Sequence, residues 1–328
     1  MLRYVHVRHK DQLDVVALRE FCYAIGEDLF DNISLALSGE RPTVELLADF
    51  VEIGLVRGEY IFRDLQLYPT ASAAQEGLFA YLDLLFGLAP RRVVYRTMEV
   101  TVAEANVLAG AEEILHEDNQ LMGLRGIRRH MRHPASLSAE LAVLREIHRR
   151  HDGLTVIAPF VTSADEFRWF RDRVLDEVGD CRVGTMLETP AAVLDAETLA
   201  TAGAEHFVVG TNDLGSLLAA RARVPGGTTE LGPGMVRALN LIRDVCDGYR
   251  CEMHVAGYLT PPLVEAAAKA GAESCVVHYA DLPRLLGDDY AHLPDLQHLA
   301  DVKRRTRAAI DAQKTGPDGE RQSSSCAV

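Results

Sequence analysis

Two stretches, Val183-Gly-Thr-Met-Leu-Glu-Thr-Pro190 and Phe207-Val-Val-Gly-Thr-Asn-Asp-Leu214, decide how this chain is read. Each is a short apolar run ending in a carboxylate, Glu188 in the first and Asp213 in the second. The intervening segment, Ala191 to Ala202, reads as a helix. In a strand–helix–strand unit the two strands lie parallel and adjacent, so both acids emerge at the same edge of the sheet. With the polar Asn212 alongside, they make a donor set suited to a hard, oxygen-loving cation such as Mg²⁺. A plainer reading stands beside it: Asp213 caps the next helix and Glu188 pairs with an arginine. Spacing alone leaves both open.

The same alternation extends in both directions. Short β-rich runs fall at Ile33–Leu37, Ile53–Arg57, Val93–Thr97, Thr155–Pro159, Val183–Glu188, His206–Gly210, Cys251–Val255 and Ser274–His278. Amphipathic segments separate them, such as Ser163–Val178 and Pro262–Ala270, the latter ending at the turn glycine Gly271. Eight strands alternating with helices over roughly 250 residues predict an α/β fold, the (β/α)₈ or TIM barrel. A doubly wound sheet usually has fewer strands and a Gly-rich first turn, which does not occur here. Residues 1–30 form an N-terminal extension, 31–312 the barrel, and 313–328 a tail whose Gly/Ser-rich composition predicts disorder. The 98–150 segment is too long for one crossover and predicts a helical insertion after the third strand.

Composition bounds the function. The chain has 328 residues, 48% hydrophobic and 25% charged, which is ordinary for a soluble globule. Its net charge of −14 argues against nucleic acid or an anionic membrane as a general partner. Six cysteines occur without C-x-x-C spacing, and Cys22, Cys246, Cys251 and Cys275 lie in apolar segments as reduced core residues. No signal peptide opens the sequence and no run of about 18 apolar residues occurs, so a cytoplasmic protein is expected.

In such barrels chemistry gathers at the C-terminal ends of the strands. Those ends supply Arg57 and Glu59, Arg96 and Glu99, then Glu188, Asn212, Asp213 and His254. The insertion adds Arg125 and Arg128 within Gly123-Leu-Arg-Gly-Ile-Arg-Arg129. Guanidinium groups match phosphate oxygens two at a time, and a divalent cation takes the remaining charge. Any one of these arginines could equally be a surface ion-pair partner. His130, His133, His148 and His151 lie in basic helical stretches expected to be solvated, without a role.

At this point the sequence resembles a known family. Gly54-Leu-Val-Arg-Gly-Glu-Tyr-Ile-Phe62 resembles the GLVRTEF element of the phosphoenolpyruvate-utilising enzymes: phosphoenolpyruvate synthase, pyruvate phosphate dikinase and enzyme I of the sugar phosphotransferase system. Tyr95-Arg-Thr-Met-Glu99 is similar to their RTLD element, and Gly123-Leu-Arg-Gly-Ile-Arg-Arg129 to GWRGIRR. Ala158-Pro-Phe-Val161 resembles IPFV and Met186-Leu-Glu-Thr-Pro190 resembles MIEVP. Gly210-Thr-Asn-Asp-Leu214 is identical to one form of the family's metal motif. These motifs keep their order from about residue 33 to residue 288. The resemblance implies a PEP/pyruvate-binding barrel that holds Mg²⁺ through Glu188 and Asp213. It implies that Arg57, Arg96 and Arg125 grip the phosphoryl group, with Glu59 and Asn212 beside the substrate. In the family, phosphoenolpyruvate exchanges its phosphoryl group with a histidine on a mobile domain, and the metal and arginine charge stabilise the pyruvate enolate.

Two departures qualify this. Where the seventh strand of the family ends in Cys-Gly-Glu, gapless counting back from Gly271 places His254 in the register of the dikinase and enzyme I, and Met253 in that of the synthase; His254 could replace the thiol as general acid. A His whose ring only binds a neighbouring carbonyl is the alternative. Neither a nucleotide-binding nor a phosphohistidine domain is expected within these residues, and Gly215-Ser216 stands where the family has Thr-Gln. The leading expectation is therefore a stand-alone, Mg²⁺-dependent phosphotransferase-like enzyme acting on the PEP C–O–P bond. Its acceptor would be a separate phosphohistidine-carrying protein or a small molecule, and a homodimer would fit. The alternatives are a pyruvate-enolate lyase or aldolase and, lesser, a non-catalytic PEP-sensing subunit.

Overall fold

In the computed structural model, which describes residues 32–222 and 231–315, eight parallel strands close into a barrel in sequence order. They are β1 (Ile33–Leu37), β2 (Ile53–Arg57), β3 (Val93–Arg96), β4 (Leu154–Ala158), β5 (Arg182–Leu187), β6 (His206–Gly210), β7 (Glu252–Ala256) and β8 (Ser274–His278). β8 pairs back onto β1, with Ala36 opposite His278. The N-terminal extension and most of the tail lie outside the described residues. The last helix, His298–Thr315, runs past the boundary at 313 expected from composition.

Helices cover the outside where the sequence supplies starts and stops. Ser163 caps Ala164–Glu177 by accepting from Glu166 N, and Thr101 closes a capping box with Glu104. The single helix expected between β5 and β6 is two, Pro190–Leu194 and Ala196–Thr201. Asp195, at the break, accepts instead from Ala164 N at 2.9 Å. The 98–150 insertion holds Val102–Asn106, Ile127–Arg132 and the long Pro134–Arg150, with no helix between 107 and 126. His130 and His133, expected to be solvated, are buried. They sit on the inner side of these helices, which the basic composition of the segment conceals.

The barrel interior is layered, and the layers position the site. Ala36, Leu55, Val94, Ile157, Met186, Val208, Ala256 and Val276, one residue from each strand, form a separate buried apolar cluster. Strand side chains alternate, so two residues further along each strand the inward side chain stands above this plug, and two residues back it lies below. Above are Ser38, Arg57, Arg96, Glu188 and His278; below are Ser34, Arg92, Thr155, His206, His254 and Ser274. The plug separates a polar mouth from a polar floor.

Candidate active site at the barrel mouth

The mouth is a network of alternating charge. The Arg57 Nε lies 3.2 Å from Glu59 Oε1, and Arg96 contacts the same oxygen. Arg96 also lies 3.7 Å from Glu99 and 4.0 Å from Glu188. Arg125 reaches in from the insertion, donating from Nε to Glu99 Oε1 at 2.6 Å and from Nη2 to Asp213 Oδ2 at 3.1 Å. Three guanidinium groups thus face four carboxyl groups, one acid in excess, whose ionisation a bound cation would favour. Burial and the neighbouring Asp213 and Glu99 push the Glu188 carboxyl up to about 7, against the pull of Arg96 and Arg125. For Arg96 burial works the other way, but Glu59, Glu188 and Glu99 hold it above its ordinary value. Crowded, buried, oxygen-only donors fit a hard divalent cation.

Local backbone aims these groups. Glu188 accepts from Phe160 N at 2.9 Å, and the Arg125 guanidinium lies 4.2 Å above the Phe160 ring. Phe160 holds this place with φ +50°, strained for a non-glycine residue. Gly126 permits it, because a Cβ there would stand 2.6 Å from Phe160 Cβ. Gly210 leaves room for Glu188: a Cβ on Gly210 would lie 2.7 Å from Glu188 Oε2. Asn212 accepts from Tyr258 N at 3.0 Å, which ties the β6 end to the β7 loop.

Of the residues expected from sequence, Arg57, Glu59, Arg96, Arg125, Glu188 and Asp213 come together in this network, and Asn212 lies on its β6 side. Both plain alternatives are realised in part: Asp213 sits in the first turn of Thr211–Leu218, and Glu188 is near an arginine. Arg128 turns away to Glu166 and Thr162. His254 does not join. It lies below the plug, where its Nδ1 faces Ser274 Oγ at 2.8 Å and its ring stacks on His206 with centroids 4.2 Å apart. Gapless counting gave the right strand but the wrong level, because Ala256, two residues on, already belongs to the plug. The floor cannot take over the metal role either. His206, Glu252 and His254 bring ligand-type atoms within 4.8 Å of one another. An ion held by both imidazoles must lie in both ring planes about 2 Å from each nitrogen. Rings stacked at 20° do not converge on such a point, and Arg92 and Arg182 already hold Glu252 at 2.6 and 2.9 Å.

Sequence reasoning passed over Glu140, which is fully buried behind β3 and accepts from Tyr95 Oη at 2.7 Å and Met98 N at 3.0 Å. Its signal was there: it shares the apolar face of its helix with Leu137, Leu141 and Leu144. It also passed over Ser38, Glu40 and His278, at the ends of β1 and β8.

The profile of the PEP-utilising enzymes, described as their PEP-binding domain, matches residues 31–258. The chain belongs to this family. A probable phosphoenolpyruvate synthase of Methanocaldococcus jannaschii is 27% identical over 288 residues, covering 82% of this chain and 24% of that protein. A phosphoenolpyruvate-protein phosphotransferase of Haloferax volcanii is 28% identical over 263 residues, covering 74% of this chain and 45% of that protein. The chain thus spans less than half the length of either relative. Among solved structures, an HpcH/HpaI aldolase from Desulfitobacterium hafniense aligns over 91% of this chain and 97% of its own, with TM-score 0.45 and 12% identity. No helix among the described residues is long and apolar enough to cross a membrane.

Proposed function

We propose that this PEP-utilising barrel binds phosphoenolpyruvate or pyruvate at the mouth with Mg²⁺ and acts on the C–O–P bond by phosphoryl transfer. The carrying observation is the single network in which Arg57, Arg96 and Arg125 interleave with Glu59, Glu99, Glu188 and Asp213. Arg57, Arg96 and Arg125 bind the phosphoryl oxygens as charge-assisted donors, exchanging their carboxylate partners for the more highly charged phosphoryl group. Asn212 and the Glu59 carboxylate orient the rest of the substrate. Glu188 and Asp213 are the residues that would hold the cation. When bound, the cation supplies positive charge at the oxygens where negative charge accumulates. The phosphoryl acceptor is a histidine on a separate protein or a small molecule. Calorimetric titration with phosphoenolpyruvate tests this: the affinity should rise at least about 10-fold on adding Mg²⁺. Binding indifferent to Mg²⁺, or none, ends the reading.

A further inference from the structure

Beside Arg57, across β1 and β8 on the same rim, the mouth carries a second polar group. His278, at the end of β8, stands above Val276 of the plug, and Ser38, past the end of β1, stands above Ala36. The His278 Nδ1 accepts from the backbone N–H of Ala280 at 3.1 Å. That fixes the tautomer: the proton is on Nε2, which donates to Ser38 Oγ at 2.9 Å. Burial, then the positive charges of Arg57 and Lys303, hold the ring well below the usual imidazole range, so it stays neutral. Protonation would also set Nδ1–H against the Ala280 N–H. Behind the pair, Glu40 is fully buried, accepts from Ser38 N, and keeps Oε1 without a hydrogen-bond partner, 3.9 Å from His278 Nε2. Burial raises the Glu40 carboxyl, so its proton is retained to higher pH than usual. The His278 side chain remains 12% exposed, and the Arg57 charge is close enough to act on its ring.

An imidazole whose Nδ1 already accepts from Ala280 N and whose Nε2 carries the proton is a fixed hydrogen-bond donor, suited to developing oxyanion charge. We propose that the His278 Nε2–H, held by Ser38 in the resting site, donates to the enolate oxygen of the three-carbon acid as its bond to phosphorus breaks. The proposal rests on the functional reading above and adds to it a catalytic group on β8, separated from the Arg57 strand by β1 alone. No proton is transferred in this step: the O–P bond breaks as phosphorus bonds to the acceptor, and the electron pair of that bond stays on the enolate oxygen, which the N–H then stabilises.

Two probes separate His278 from the arginines: oxalate, a planar isostere of the enolate, and inorganic phosphate, both titrated calorimetrically with Mg²⁺ present. His278→Leu should weaken oxalate by at least about 10-fold, the scale of a hydrogen bond to a charged acceptor, and leave phosphate within about 2-fold. His278→Gln, which keeps an N–H donor, should recover most of the oxalate affinity. Oxalate binding unchanged by His278→Leu overturns the assignment, as does equal weakening of both ligands, which would mark a purely structural residue. Wild-type protein that binds oxalate but not phosphate leaves His278 tested while sinking the phosphoryl-gripping role of the arginines. Binding of neither sinks both.

Discussion

Gly210 carries more of the site than its lack of a side chain suggests. It ends β6 at the point where the Glu188 carboxylate must pass, and an added methyl would meet both Oε2 at 2.7 Å and Cβ at 2.8 Å. The second contact matters most, because a Cβ is fixed to the backbone and cannot swing aside. Gly210→Ala should therefore re-aim Glu188 and reduce the Mg²⁺-dependent gain in phosphoenolpyruvate affinity on the order of 10-fold or more. Overpacking of this kind should also lower stability by about 1–3 kcal/mol, measurable by urea unfolding. Residues of this type explain what was legible in sequence. Glu188 and Asp213 announce themselves because each ends an apolar run at the same sheet edge. Glu140 and Glu40 do not, because a buried carboxylate looks like a surface one until its partners, scattered along the chain, are known. His254 misled because strand position names a face but not a height, and the height depends on the register of all eight strands.

At the scale of elements, the eight strands were legible to within a residue or so at their ends, since each is a buried run bounded by turn residues. The helices of the insertion were less so, since their basic composition reads as solvent-facing. His130, on Ile127–Arg132, is fully buried, and burial together with the adjacent Arg129 pushes its ring down to about 3. In the unfolded chain the same ring takes up a proton near pH 6.5. Between these values the unfolded state binds more protons, so stability is full above about pH 6.5 and is lost as pH falls toward 3. At pH 4.5 the loss is at most about 2–3 kcal/mol by the linkage relation. His130→Leu should shrink the stability difference between pH 7 and pH 4.5, as read from urea midpoints at each pH. His206 is displaced in the same direction by burial, so some acid sensitivity should persist. An unchanged difference would remove His130 from the account.

For the whole molecule the decisive feature is the apolar plug, which makes the two ends of the barrel energetically separate. His254 tests this. Its replacement by Ala removes the contact with Ser274 and the stack on His206, so stability should fall by about 1–3 kcal/mol. Phosphoenolpyruvate affinity should stay within about 2-fold, as expected for sites that share no partners. A large loss of affinity at unchanged stability would restore His254 to the chemistry. The plug also governs traffic. A barrel stopped at its lower end has one doorway, so whatever arrives and whatever departs must use the same rim in turn. Under the proposed function, spent product would obstruct the next arrival, and a bulky molecule lodged across the rim would halt both directions at once.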